Sequence, residues 1–257
     1  MAQALTMNKI KQYLTSAFFG MALSISSQAE NFMRGVRGPT DWQFDNRIRL
    51  TNQENKGTKT ESFTDIMSIR YWNGSDKGIF GYIAIPYKFI NAGNQRNNGL
   101  GDIGIGIGPR GSITNNLGSF HFLSTIGLQL PTGENIEMPR TGNGRTDLRF
   151  SLGITYLIPS QKTEFDASFD YIRAEKNASD DIFFGVAAGH QIHRKIKAGG
   201  GFLGNIKSGY NQDGEYKFTA RGIARYTHSS KWHTELWLDQ GISDKRQEAT
   251  LVLRYNF

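Results

Sequence analysis

The sequence predicts an all-β chain: a transmembrane antiparallel β-barrel of about twelve strands, exported behind a cleaved signal peptide. Three observations carry this. The N-terminus has the layout of an export leader. Behind it, segments of roughly ten residues alternate apolar and polar side chains. The connections between those segments alternate in length.

The leader comes first. Lys9 and Lys11 form a basic start, and residues 14–25 (LTSAFFGMALSI) form an apolar run too short to span a bilayer as a helix. Ser27-Gln28-Ala29 is a small-x-small cleavage site. Residues 1–29 are therefore read as signal peptide, 30–41 as a periplasmic lead-in or short plug, and 42–257 as the barrel. The lead-in, fully extended, spans about 40 Å, long enough to enter the lumen from below. The leader carries two lysines and no acid, so export lowers the formal charge from +7 to +5. Composition agrees with a sheet protein: 30 Gly, 17 Phe and 10 Tyr accompany a hydrophobic fraction of only 38%. There is no Cys, which suits an oxidising compartment without specifying one.

The predicted strands are Trp42–Thr51, Ser62–Trp72, Gly78–Ile90, Asp102–Ile113, Phe120–Leu130 and Asp147–Ile158. Six more follow: Glu164–Arg173, Asp181–Ile192, Ile196–Lys207, Lys217–His228, Trp232–Gly241 and Glu248–Phe257. One face of the first strand reads Trp42, Phe44, Ile48, Leu50; the other reads Gln43, Asp45, Arg47, Arg49. In the last strand Leu251, Leu253, Tyr255 and Phe257 share the apolar face. Odd-numbered connections such as NQENKGTK, NAGNQRNNGLG and PTGENIEMPRTGNGR run long, whereas even ones such as TNNLGS, PSQK and HRK are short. Short turns at one end and long loops at the other are the plan of outer-membrane barrels. An even strand number puts both termini on the short-turn, periplasmic side. Aromatics near strand ends, among them Trp42, Tyr71, Phe89, Tyr156, Trp232 and Phe257, form the two interfacial girdles.

The stretch GLGDIGIGIGPRG (99–111) contains the dinucleotide fingerprint G-x-G-x-x-G, but not its context. A polar loop precedes it and a period-two alternation follows, where nucleotide binding needs a strand and then a helix. Ile103, Ile105 and Ile107 are assigned to lipid. Gly104, Gly106 and Gly108 are assigned to the lumen, where they leave room for a neighbouring group or a solute.

Gly99-Leu100-Gly101-Asp102, opening that glycine-alternating strand, is followed about thirty residues later by Leu128-Gln129-Leu130-Pro131-Thr132-Gly133. With the terminal Phe257, this order and spacing resembles the outer-membrane proteins associated with the meta pathway of phenol degradation. The resemblance covers roughly residues 42–257. It implies an antiparallel barrel that passes small, often aromatic, compounds, and it brings no catalytic residues. A C-terminal aromatic is general to outer-membrane barrels, so Phe257 is assigned as the assembly signal read by the barrel assembly machinery.

Enzymatic, metal and cofactor chemistry find no support. A lipid hydrolase of this compartment needs Ser, His and Asn at the outer rim, yet His121, His190, His193, His228 and His233 all fall near periplasmic turns. His190-x-x-His193 has no third ligand to nominate. No catalytic residue, metal site, cofactor or nucleic-acid partner is assigned.

The lumen register is informative. Arg47, Arg49, Arg70 and Arg254 lie on the first, second and last strands, which meet on closure, and are assigned as a basic wall. Asp166 and Asp170, on the seventh strand, are assigned as an acidic wall opposite. Phe80, Tyr82, Phe183 and Trp237 are assigned as lumen aromatics that stack a planar solute or plug the bore. Charges facing inward require a wet lumen or a lattice of ion pairs. The leading expectation is an outer-membrane channel for small solutes, hydrophobic or aromatic compounds among them, with outer-membrane lipids around it and the solute unidentified. The alternatives are a closed structural or adhesive barrel and, behind it, a lipid-modifying enzyme.

Overall fold

A computed structural model describes residues 41–257, apart from 56–57, 74–76, 134–135, 137, 159, 161, 175–179 and 210–211. The leader and residues 30–40 of the lead-in lie outside the described residues. The strands are β1 (Asp41–Asn55), β2 (Thr58–Trp72), β3 (Lys77–Ala92), β4 (Gln95–Leu100), β5 (Ile103–Thr114), β6 (Ser119–Leu130) and β7 (Asp147–Ile158). They continue as β8 (Thr163–Arg173), β9 (Asp180–His193), β10 (Ile196–Gly209), β11 (Gln212–Thr227), β12 (Trp232–Gly241) and β13 (Lys245–Asn256).

Apart from β4 and β5, which both pair with β3, each strand pairs antiparallel with its neighbour in sequence, and the ring closes where β1 meets β13, in register from Gln43 opposite Asn256 to Glu54 opposite Lys245. Closure removes the open edges that hydrocarbon cannot solvate. Thirteen strands make twelve staves, because β4 and β5 share one. β4 pairs with Tyr87–Ala92 of β3, and β5 with Lys77–Ala84. The break between them falls at Gly101-Asp102.

Alternation places the faces. Ile79, Ile107, Ile126, Val186 and Leu238 are exposed on the outer wall, toward lipid. Asp45, Arg47, Thr155, Glu235, Trp237 and Val252 are buried on the inner one. Rings contact one another around the end where the termini lie: Trp42 with Tyr71 at 4.9 Å, Trp232 with Tyr255 at 6.0 Å, and Tyr255 with Phe257 at 5.1 Å. At the far end Phe63 meets Phe89 at 5.7 Å, and Phe184 meets Phe218 at 6.3 Å. Phe63 and Tyr71 stand eight residues apart on β2, about 26 Å along the strand. That length, shortened by the tilt of the strands, approaches an apolar band of about 25 Å.

The far-end connections correct the expectation. NQENKGTK, NAGNQRNNGLG and SGYNQDGE were expected as long loops, but strand pairing runs through them: Asn55 pairs with Thr58, Ala92 with Gln95, and Gly209 with Gln212. Gly93, at φ 59°, supplies the left-handed residue of one such tight turn. Polar composition does not stop a ladder in water, where both the backbone and the Asn, Gln and Thr side chains stay satisfied. Residues 131–146 do remain a long connection; EKNASD was also expected as a long loop, and its residues 175–179 lie outside the described residues.

Candidate functional site: a charged and partly filled lumen

The first layer of the lumen lies near the terminal end, at the closing seam. Asp45 of β1 accepts from Arg254 Nε at 2.6 Å, from Arg70 Nη2 at 2.9 Å and from Arg47 Nη2 at 2.9 Å. Arg254 reaches on to Glu235 at 3.1 Å. Glu235 also accepts from Arg225 Nε at 2.7 Å and from the Trp237 indole N–H at 3.0 Å. Five strands are thus joined through two carboxylates. Both carboxylates are fully buried, where a charge is tolerated only with such partners.

The next layer is built alike. Glu248 bridges Arg49 at 3.0 Å and Arg246 at 2.5 Å. Asp239 is held by the fork of Arg221, Nε at 2.6 Å and Nη2 at 2.5 Å. Across the barrel, Asp170 pairs with Arg149 at 3.1 Å, Asp166 accepts from the Thr155 hydroxyl at 2.5 Å, and Glu164 pairs with Lys197.

The four arginines of the expected basic wall do come together, on β1, β2 and β13. They are not a wall of bare positive charge: Asp45 and Glu248 stand among them. Nor is β8 bare negative, since Arg149 and Lys197 reach its carboxylates. An imbalance survives the pairing. Five inward arginines face two carboxylates on β13, β1 and β2, while β8 contributes three inward carboxylates and no cation. The two sets lie on opposite sides of the ring.

Apolar side chains fill part of the bore. Trp237 packs with Ile223, Val252 and Ala187, and Leu203 lies against them. Arg221 stacks over the Trp237 ring at 4.8 Å. On another side Trp72, Phe80 and Leu123 cluster, with Tyr82 alongside. Tyr82 explains Gly106, the middle glycine of the stripe, while Gly108 backs on the Ser124 carbonyl. The Tyr82 ring lies across β5, and a Cβ on Gly106 would sit 2.4 Å from it. The space expected for a neighbour or a solute is taken by a neighbour.

The described part of the connection 131–146 turns inward at Pro139 and Thr141 and is clasped by Asp102. Asp102 Oδ1 accepts from the Gly133 amide at 3.1 Å, and Oδ2 accepts from the Asn143 amide at 2.7 Å and from Gln129 Nε2 at 3.3 Å. Thr132 Oγ1 donates to the Gly101 carbonyl at 2.8 Å and accepts from the Ile103 amide at 3.0 Å. Lys88 Nζ, on the lumen register of β3, donates to the Thr141 carbonyl at 2.6 Å. Thr141 is fully buried. A Cβ on Gly142 would come within 2.5 Å of Asp102 Oδ1, so the approach needs glycine there. The two short motifs at 99–102 and 128–133 are therefore two halves of one clasp. It holds a loop in the outer mouth.

Beside the loop the mouth stays open. A cavity of about 210 Å³ lies among β1, β9, β10, β11, β12 and β13, lined by inward residues from Arg49 and Asp181 to Arg246. A second, small cavity of about 20 Å³ lies next to Tyr82, Gly104 and Arg149.

The family described as "Putative MetA-pathway of phenol degradation" matches residues 49–251. The chain belongs to this family. The match contains Asp102, its clasp, Tyr82 and both layers of charge except Asp45, Arg47 and Arg254. No curated protein matches the chain. Among solved structures, the COG4313 outer membrane channel from Pseudomonas putida F1 is similar with a TM-score of 0.73 at 10% identity, covering 91% of this chain and 100% of that one. The translocator domain of the autotransporter NalP from Neisseria meningitidis has a TM-score of 0.54 at 9% identity, covering 100% and 98%. The beta domain of the Bordetella autotransporter Brka has 0.54 at 11%, covering 85% and 100%. At these identities the likeness concerns the fold, a closed barrel of the outer-membrane type.

Of the lumen aromatics, Phe80 and Trp237 are buried in the two clusters, Tyr82 covers Gly106, and Phe183 lines the outer cavity. Phe257 ends the chain beside Trp42, its amide donating to the Trp42 carbonyl at 3.1 Å. Sequence reasoning missed Glu248, Arg246, Lys88 and Thr141. Glu248 and Lys88 were readable from register within the predicted strands, and Arg246 once the last strand is extended back to Lys245. Thr141 lies in a loop, and nothing periodic marks it. Among the described residues, no group of three or more His, Cys, Asp or Glu converges as a metal site.

Proposed function

We propose that this barrel is a diffusion channel for small solutes, with the in-folded loop 131–146 as its constriction. The observation that carries the reading is the outer cavity of about 210 Å³ inside the wall, lined mostly by charged and polar side chains. A barrel of about eight strands is filled by its own side chains, and one of sixteen or more holds a wide water channel. Twelve staves lie between, which fits a narrow, selective pore. The similar fold of a protein described as an outer membrane channel supports the same reading. The family description supports small, aromatic compounds as cargo. The residual charge imbalance between β1 with its neighbours and β8 lies across the path, where it orients a charged solute.

A closed structural or adhesive barrel is the second reading. It is favoured by the ion pairs of the seam and by the Trp237 cluster, both of which brace the interior. Single-channel recording of the purified protein in a planar bilayer separates the two. Discrete conductance steps that grow on deletion of residues 135–140 support the channel. Silence from both proteins, with the folded barrel verified by its heat-modifiable gel mobility, supports the closed barrel.

A further inference from the structure

We infer that the outer cavity is a binding site for small organic carboxylates with a compact apolar body. The inference rests on the channel reading only for the route by which the solute arrives.

Charge is the first reason. Arg49, Arg221 and Arg246 line the cavity from β1, β11 and β13, and Lys207 and Lys217 line it from β10 and β11. The lining carboxylates are Asp181 and Asp239. Glu248, just behind, is shared by Arg49 and Arg246. Among the described side chains, five cations stand against three carboxylates, with Glu215 opposite Lys207 in the ladder, inside a partly enclosed space where screening by water is weak. The guanidiniums are already oriented by Asp239 and Glu248. An entering anion therefore meets fixed donors and pays little to order them.

Apolar surface is the second reason. Phe183 and Leu203 line the same cavity, and Leu203 continues into the cluster of Trp237, Ile223, Val252 and Ala187. The cavity thus has one apolar flank and a cationic remainder. An inorganic anion would leave the Phe183 flank against water. A neutral hydrocarbon would strip water from five cations without replacing it. A carboxylate on a flat or branched apolar body satisfies both surfaces.

Size is the third. About 210 Å³ is below the roughly 300–1,000 Å³ of pockets that hold drug-sized ligands. It suits a single ring or a short branched chain rather than a fatty acid or an oligosaccharide.

The test is isothermal titration of the full-length mature barrel in detergent with benzoate, benzyl alcohol and acetate. Benzyl alcohol keeps the ring without the charge, and acetate keeps the charge without the ring. Saturable binding of benzoate, at least tenfold tighter than either control, is expected. Lys207→Gln with Lys217→Gln should weaken benzoate at least tenfold. Phe183→Ala should weaken benzoate and leave acetate unchanged. Heat-modifiable mobility shows that each variant is folded. Should Lys207→Gln/Lys217→Gln fail to fold, Phe183→Ala decides alone. Benzoate binding no tighter than benzyl alcohol, or unaffected by the variants, overturns the site. Conductance without benzoate binding removes the site and leaves the channel. Benzoate binding by a silent barrel keeps the site and removes the channel.

Discussion

Arg254 donates to Asp45 at 2.6 Å across the seam where the last strand meets the first. These residues are 209 positions apart in the chain, and the bond exists only when the ring is closed. Asp45 also serves Arg47 and Arg70. Asp45→Ala leaves three guanidiniums crowded in a buried place, and the loss expected is about 3–5 kcal/mol. Urea unfolding in detergent, followed by circular dichroism, measures it. Adding Arg254→Met should recover part of the loss. An unchanged midpoint in Asp45→Ala would show that the seam is held by backbone pairing alone.

Asp102 holds the inner loop by the backbone amides of Gly133 and Asn143. Hydrogen bonds to a charged group are worth roughly 1.5–3 kcal/mol each. Asp102→Ala should therefore raise trypsin cleavage at Arg140 by about tenfold or more, since each 1.4 kcal/mol is a factor of about ten in exposure. Single-channel conductance should rise in the same variant. Equal cleavage rates in the two proteins would mean that the loop is held from elsewhere.

Gly106 lies under Tyr82. Gly106→Val forces the ring away, at an overpacking cost of about 1–3 kcal/mol. Tyr82→Ala in the same chain should return most of that stability. A double variant no more stable than Gly106→Val would refute the contact.

Phe257 donates its amide to the Trp42 carbonyl and meets the Tyr255 ring edge to face at 5.1 Å. Its deletion removes the last lipid-facing ring of the seam and the expected assembly signal. Less barrel in the outer membrane and more periplasmic fragments are expected on immunoblots of fractionated cells. Wild-type levels would reduce Phe257 to an ordinary girdle ring.

Arg49→Gln together with Arg254→Gln removes two lumen charges, while Arg246 stays with Glu248 and Arg47 and Arg70 stay with Asp45. The reversal potential in a salt gradient should shift toward cations, most clearly at low salt where screening is weak. A conducting variant with unaltered selectivity would assign these arginines to bracing alone.

What was legible in the residues follows from periodicity. A strand alternates its faces whatever surrounds it, so Ile107 outward and Arg47 inward could be read directly, as could Trp42, Tyr71 and Phe257 at one interface. Closure of β1 on β13 followed from an even number of antiparallel segments that cannot leave an edge in lipid. The far-end hairpins were not legible, because Asn91 to Gly101 reads as a turn by composition while its backbone pairs as a strand. The partners inside the basic wall were not legible either. Register says which side chains point inward, but not that Asp45 and Glu248 sit at bonding distance from the arginines beside them.

By itself, then, the sequence determined the class of the molecule, the order of its staves and the side of the wall on which each strand residue stands. These depend on local geometry and on the demand that backbone groups be paired in hydrocarbon. Only the tertiary structure decided how the lumen is filled: Glu235 joining Arg225 to Arg254, Tyr82 lying over Gly106, and Asp102 drawing Gly133 and Asn143 into the mouth. Those contacts cross the barrel or span its loops, and their partners are chosen by tilt, stagger and closure, which no repeat of two residues records.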